Sequence, residues 1–311
     1  FRMLMKKILI IKHGGLGDLL QMTGVFSSLK KMYPKDRITL LTDIQFKHIS
    51  KQMPYFDEII FDHRSSSNNI SNLIKLIFKL RSAKYDIVFD LQNSDRTSIY
   101  YFFITLFNKC IWSGNRHGGK YKYRPKDFEK ISVVNRFKGQ LKLMNIDTDV
   151  IPEVDWLTNE EDKPKIDGKY IIFVPGSSKK HKEYKRWPAK NFAELAKRLA
   201  KKDITSVVIG LTESESMEIE IIEKADSSVI NFSDKNLGFI AELSRKAMGA
   251  VANDTGPTFV ISATGCPVTL LLSKHHQHFV KPLGSKLNII QKDLISQITT
   301  EEVENNLALR D

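Results

Sequence analysis

Asp18 is the residue in this 311-residue chain best placed to do chemistry. It closes the stretch Lys12-His13-Gly14-Gly15-Leu16-Gly17-Asp18, where three glycines in four positions leave almost no side chain and let another molecule approach the backbone. A bare platform beside one carboxylate points to a reaction site, and proton transfer is the chemistry a carboxylate offers there. An acid in the first turn of a helix also serves as a cap, so the residue has a structural use as well. A different reading takes Gly15 and Gly17 as the phosphate loop of a nicotinamide-dependent oxidoreductase, with Asp43, at the end of the next strand, on the ribose. That pattern meets Leu20 where its third glycine belongs and a carboxylate, Asp18, where a pyrophosphate would bind, so another use of the loop is favoured.

Four more constellations carry polar groups in places where α/β proteins bind ligands. Asp90-Leu91-Gln92-Asn93-Ser94-Asp95-Arg96 follows an apolar strand; capping accounts for Asn93 or Ser94 but not for Gln92 and Arg96. The basic loop at 115–124, with Arg116, Lys120, Lys122 and Arg124, has the charge to clamp an anionic acceptor. Pro175-Gly176-Ser177-Ser178 leads into a cationic run containing Lys182 and Lys185, and its hydroxyls, amides and cations can surround a pyrophosphate; Trp187-Pro188 anchors Lys185 close by. In Asn253-Asp254-Thr255-Gly256-Pro257, the proline suits a first helical position, and the amides of Thr255 and Gly256 present the positive end of a helix to a phosphate or ribose.

Alternating elements must position these turns. Continuous apolar runs predict strands over 8–11, 38–41, 58–61, 87–89 and 110–112, with helices over 19–32, 70–81 and 94–107. A second series has strands at 170–174, 206–209, 229–231, 250–252 and 268–272 and helices near 189–201, 214–225, 237–247 and 257–264. The intervening stretch 146–167 is acidic, holds Pro152 and Pro164 and lacks periodicity, which makes it the linker. The expected organisation is α/β, with one domain over 1–150, a second over 151–311 and a cleft between them. Thr299-x-x-Glu302 is a capping box for a terminal helix, which is given the option of packing back on the first domain.

Composition sets outer bounds. A formal charge of +12 predicts an anionic partner: nucleic acid, a phosphorylated small molecule or an acidic membrane surface. Nucleic acid ranks low because the basic residues lack the interleaved aromatics of a stacking platform. Cys110 and Cys266 lie far apart and read as small core residues in a reducing compartment. The apolar run 99–107 is too short to span a bilayer, and a buried helix is expected there, with membrane contact as the minor option. Entry straight into a strand leaves no signal segment to expect. His275 and His276 have no paired carboxylate or thiol, so no metal is expected there.

Taken in order, Gly14-Gly15-Leu16-Gly17-Asp18, Asp90-Leu91-Gln92, Pro175-Gly176-Ser177-Ser178, Lys185-Arg186-Trp187-Pro188 and Asp254-Thr255-Gly256-Pro257 resemble the bacterial heptosyltransferases of glycosyltransferase family nine. The resemblance implies a GT-B architecture of two Rossmann-like domains, acceptor on the first and nucleotide sugar on the second. By it, Asp18 matches the catalytic base of an inverting transfer that requires no cofactor or metal. Ser177, Ser178, Lys182 and Lys185 match diphosphate contacts; Asp254, Thr255 and Gly256 match the donor turn; and Glu215 matches an acid on the nucleotide ribose. Gly15, Gln92, Arg96, Arg116 and Lys120 fall on the acceptor side. The implied donor is ADP-heptose, the implied acceptor the anionic inner core of lipopolysaccharide, and the implied location the cytoplasm, peripheral to the inner membrane. Two donor-side positions depart from the pattern: Phe259 stands where many members have histidine, and the loop 273–278 lacks a Gly-x-Thr-x-Pro sequence.

Overall fold

A computed structural model describes residues 5–64, 70–106, 108–115, 119–127, 131, 133–148, 151–177, 182–275 and 280–310, without the side chains of Lys182 and Glu183. The backbone clusters into two compact units, Phe1–Val150 and Ile151–Asp311.

The first unit runs β1 (Lys7–Ile11), α1 (Leu16–Leu20), α2 (Thr23–Met32), β2 (Arg37–Asp43), α3 (Lys47–Ser50), β3 (Glu58–Asp62), α4 (Ile70–Ser82), β4 (Ile87–Asp90), α5 (Asp95–Thr105), β5 (Ile111–Gly114), β6 (Tyr121–Lys122) and α6 (Val133–Lys142). All its strand pairs are parallel, in the order β3-β2-β1-β4-β5-β6. Ile8, Leu9, Ile10 and Ile11 are fully buried, as a strand covered on both faces requires. The chain order reverses at β1, which lies between β2 and β4, and the Asp18 turn and the Gln92 turn both leave the carboxyl ends there, where open α/β sheets bind ligands.

The second unit repeats the plan: β7 (Lys169–Val174), α7 (Lys182–Lys185), α8 (Ala189–Ala200), β8 (Ile204–Val208), α9 (Thr212–Glu223), β9 (Ile230–Asn231), α10 (Leu237–Lys246), β10 (Gly249–Asn253), α11 (Gly256–Ala263), β11 (Val268–Ser273), β12 (Leu287–Lys292) and α12 (Thr300–Asn305). Its order is β12-β11-β10-β7-β8-β9, again parallel throughout, and the Gly176 and Asp254 turns leave its switch point at β7 and β10. Terminal α12 packs on α8 of its own unit: Val303 shares a core with Leu195 and Leu199, and Arg198 pairs with Glu304 at 3.2 Å.

Several elements differ from the sequence-based expectation. The helix expected over 19–32 is broken after Leu20, where the Thr23 hydroxyl donates to the Leu20 carbonyl at 2.8 Å and competes with helical continuation. Helix α5 is not buried all round: Tyr100 and Ile104 face the sheet, but Ile99, Phe102 and Leu106 are 42%, 56% and 44% exposed. Strand β12 and helix α6, for which no element was expected, complete the two units.

Candidate functional site

Gly14 adopts φ +96°, a conformation glycine tolerates, and a Cβ there would lie 2.8 Å from Asp18 Oδ2. The Gly15 N–H donates to the same oxygen at 2.9 Å, so Asp18 does cap its helix. It is also half-buried in the wall of a cavity of about 360 Å³, beside Lys12, Gln92, Asn93, Arg124, Arg136 and Gln140. Capping and site chemistry therefore coexist in one carboxylate.

Uncharged amides tie together the turns behind that wall. Buried Gln140, from α6, donates through Nε2 to the carbonyls of Asp90 and Ser113, both at 3.1 Å, and accepts from Asn93 Nδ2 at 3.1 Å. Asn93 Oδ1 in turn accepts from the Asn115 N–H at 2.7 Å, and Gln92 Oε1 from the His13 N–H at 3.0 Å. Lys12 is 5% exposed, its Nζ 5.1 Å from the centre of the Phe137 ring. Burial pulls the Lys12 ammonium below its ordinary value, opposed by the negative charges of Asp18 and Asp90.

Of the residues expected on the acceptor side, Gly15 lies beside Asp18 and Gln92 lines the cavity. Arg96 is directed elsewhere: its Nη2 and Nε reach Asp62 Oδ1 and Oδ2 at 2.6 and 2.7 Å, with the Tyr100 hydroxyl 2.6 Å from Nε. Lys120 is exposed, its Nζ 5.5 Å from the centre of the Tyr121 ring, and neither it nor Arg96 lines the cavity. Arg116 lies outside the described residues. Among the described residues, the cations that do line it are Lys12, Arg124 and Arg136. Lys12 was legible as the residue leaving β1 toward the glycines, and Arg136 sits four positions before Gln140 on the same helix face. Asp43 is 3% exposed, and its two oxygens accept from the Gln45 N–H at 3.1 Å and from Arg64 Nε at 3.0 Å. This occupies the carboxylate that an oxidoreductase would need for a ribose.

In the second unit, Asn253 does the work of the amides above. Its Nδ2 donates to the Pro175 carbonyl at 2.7 Å and its Oδ1 accepts from the Trp187 N–H at 3.1 Å, joining three turns at the sheet edge. Trp187 is 1% exposed and donates through Nε1 to the Ile298 carbonyl at 2.8 Å, which anchors the chain immediately after Lys185. Lys185 itself is half-exposed at the end of α7. Ser177 is 7% exposed; its hydroxyl and carbonyl oxygens face Arg186 Nε and Nη2 at 3.3 and 3.0 Å. Glu215, also 7% exposed, accepts from the Leu211 N–H at 3.0 Å and stands 3.5 Å from Arg186 Nη2. Its carboxylate packs so closely under the turn that a Cβ on Gly176 would fall 2.1 Å from Oε1. Asp254, Thr255 and Gly256 open α11, and Thr255, its N-cap, makes no side-chain capping bond. The backbone of Lys182 lies in α7, whereas Ser178 is outside the described residues. Phe259 is half-buried on α11, and His275 packs against Tyr184 with ring centres 5.4 Å apart. Among the described residues no three His, Cys, Asp or Glu side chains group to hold a metal ion.

A family profile described as glycosyltransferase family 9 (heptosyltransferase) matches residues 73–308. The chain belongs to this family. Lipopolysaccharide heptosyltransferase 2 of Salmonella typhimurium is 24% identical, over 92% of this chain and 88% of the relative. Lipooligosaccharide heptosyltransferase 2 of Haemophilus influenzae is also 24% identical, over 91% and 88%. Among solved structures, E. coli ADP-heptose LPS heptosyltransferase II superposes with a TM-score of 0.75 at 21% identity, covering 96% of this chain and 97% of that one. E. coli heptosyltransferase WaaC with ADP-2-deoxy-2-fluoro heptose gives 0.76 at 17% identity, over 96% and 98%. Two parallel six-stranded sheets flanked by helices are the GT-B fold, and as a family 9 member the protein is a glycosyltransferase of the heptosyltransferase type.

Proposed function

We propose that this family 9 enzyme transfers heptose from ADP-heptose to the inner core of lipopolysaccharide or a related anionic glycan, with inversion and without a metal. The acceptor is held by the first unit and the donor by the second. The observation that carries this reading is Asp18 in the wall of a cavity otherwise rich in cations and amides, at the switch point of the first sheet. An acceptor hydroxyl in that cavity gives its proton to Asp18 as its oxygen attacks the anomeric carbon. The bond from that carbon to the diphosphate breaks, and ADP leaves with the electron pair. Lys185 and the amides at the start of α11 meet the charge that develops on it. Arg124 and Arg136 meet the acceptor's own anionic groups. Names of the relatives support the sugar and the acceptor: both heptosyltransferases 2 are named for lipopolysaccharide or lipooligosaccharide.

The protein works as a peripheral enzyme at the inner face of the inner membrane; among the described residues no helix is long and apolar enough to cross it. Incubating the protein with ADP-heptose and a heptose-deficient core acceptor, and following ADP release and product mass, tests the reading. ADP-heptose-dependent growth of the acceptor by one heptose is expected. Turnover of UDP- or GDP-sugars alone would sink the donor assignment.

A further inference from the structure

The structure assigns a lipid-docking surface to the outer faces of α4 and α5. The proposal rests on the peripheral-membrane reading above and names the part of the molecule that meets the bilayer.

Both helices cover the same face of the first sheet: Leu76 and Leu80 of α4 and Tyr100 and Ile104 of α5 enter one core with Leu9, Ile11 and Val88. A helix in that position normally turns a polar stripe outward. Here part of the outward face is apolar too, beside the polar row Ser71, Lys75 and Lys79 on α4. On α4, Ile70, Ile74 and Phe78 recur every four residues and are 74%, 47% and 62% exposed. On α5, Ile99, Phe102 and Leu106 follow at spacings of three and four, with Phe102 56% exposed. The two helices pack side by side, and Phe78 and Ile104 share a cavity of about 280 Å³ with Arg81 and Lys84. Six large apolar side chains on two adjacent helices make a patch of the kind that marks an interaction site.

Charge decides the occupant. Helix α4 and the turn after it carry Lys75, Lys79, Arg81 and Lys84 with no acidic residue before Asp86, and α5 and its C-terminal turn carry Arg96 and Lys109 against one carboxylate, Asp95, at the helix start. Lys79 pairs with Glu58 at 3.5 Å and Arg96 with Asp62 at 2.6 Å, both from neighbouring elements. Lys75, Lys84 and Lys109 are exposed. Apolar and aromatic side chains rimmed by cations fit the boundary of a bilayer with anionic headgroups, the apolar rows entering the acyl edge and the cations meeting phosphates. A second copy of the chain fits worse, since a two-fold contact would set this cationic rim against itself.

The test is vesicle co-sedimentation of the full chain, comparing vesicles that contain phosphatidylglycerol with vesicles of phosphatidylcholine alone. The wild-type protein is expected to bind the anionic vesicles preferentially. The double variant Phe78→Ser/Phe102→Ser should lose at least about tenfold in partition, the scale for withdrawing a phenyl ring from an apolar phase. Lys75→Glu/Lys84→Glu should lose the preference for anionic lipid. Turnover by both variants on a delipidated, water-soluble acceptor should match wild type, which shows them folded, while turnover on a vesicle-embedded acceptor falls. Wild-type binding that both variants retain overturns this surface and leaves the peripheral reading standing. A wild type that binds no vesicles removes both. If instead the serine variants abolish a wild-type dimer in sedimentation velocity and leave vesicle binding intact, the face is a protein contact and the proposal fails.

Discussion

Replacing Asp18 by Asn separates its two tasks. The side chain caps α1 through the 2.9 Å bond from the Gly15 N–H to Oδ2, and it lines the cavity where the acceptor hydroxyl is to be bound. Asn keeps an acceptor oxygen for the Gly15 N–H and nearly the same volume, so the stability change should stay within about 0.5 kcal/mol. It cannot take a proton from a hydroxyl. Loss of a general base costs on the order of 100- to 10,000-fold in turnover, about 3 to 5 kcal/mol of barrier. Asp18→Ala loses both tasks and should additionally lower stability by about 1 kcal/mol, the scale of one backbone N–H left without its side-chain partner. The measurements are initial rates of ADP release at saturating donor, donor affinity by calorimetry and thermal unfolding, on all three proteins. Unchanged donor affinity and unfolding with collapsed turnover in Asp18→Asn is the expected pattern. Turnover within about threefold of wild type would reduce Asp18 to a cap and remove the base from the mechanism.

Lys185→Ala should weaken ADP binding by about tenfold, the scale of one charge-assisted contact, and unchanged affinity in calorimetry would take Lys185 out of the donor site. Asn253→Ala leaves the buried Trp187 N–H and Pro175 carbonyl without their partner and should cost about 2 to 4 kcal/mol in denaturant unfolding; a loss below about 1 kcal/mol would mean that water replaces the amide. His13 is fully buried, 3.4 Å from Asp62, and burial pushes its imidazole down from 6.5 to about 4 despite that carboxylate and Asp43, with Arg64 and Arg96 also lowering it. The unfolded chain therefore binds a proton at His13 in the window from 6.5 down to about 4 that the folded chain does not, so this stability is present in full above 6.5 and is lost as pH falls. The loss amounts to about 3 kcal/mol across the window, and His13→Gln should flatten the acid limb of the stability curve there; an unaltered limb would refute it.

Legibility in the sequence follows the range of the forces involved. Strands such as Ile8–Leu9–Ile10–Ile11 announce themselves because a parallel strand is apolar on both faces, and the alternation of such runs with helices carried the architecture. The turns at Asp18 and Asp254 were legible for the same reason: strand, glycine and helix start are neighbours in the chain. Which cation faces the cavity is a long-range matter. Arg96 follows a strand in the right register, yet Asp62, 34 residues earlier, takes its guanidinium. Arg136 sits on α6, whose buried residues Phe137, Gln140 and Leu141 form one short stripe in an otherwise polar helix. Edge strand β12 exposes every residue but Ile290 at least partly, so it lacks the solid apolar run of its neighbours.

Both sheet edges solve the same problem with the same device. Loops leaving a switch point expose backbone groups that must be paired, yet a site for anions cannot tolerate uncompensated carboxylates beside it. Gln140, Asn93 and Gln92 in the first unit, and Asn253 in the second, make those pairings with neutral amides. Carboxylates at the edges have cations near them: Lys12 feels Asp18 and Asp90, Arg186 lies against Glu215, and the partly exposed Arg64 and Arg96 pair with Asp43 and Asp62. Lys12 is thus matched within the wall, and its charge serves to balance Asp18 and Asp90. Among the described residues that line this cavity the further cations are Arg124 and Arg136, and these, rather than the arginine nearest the strand in sequence, are the ones that the proposed acceptor's anionic groups would meet.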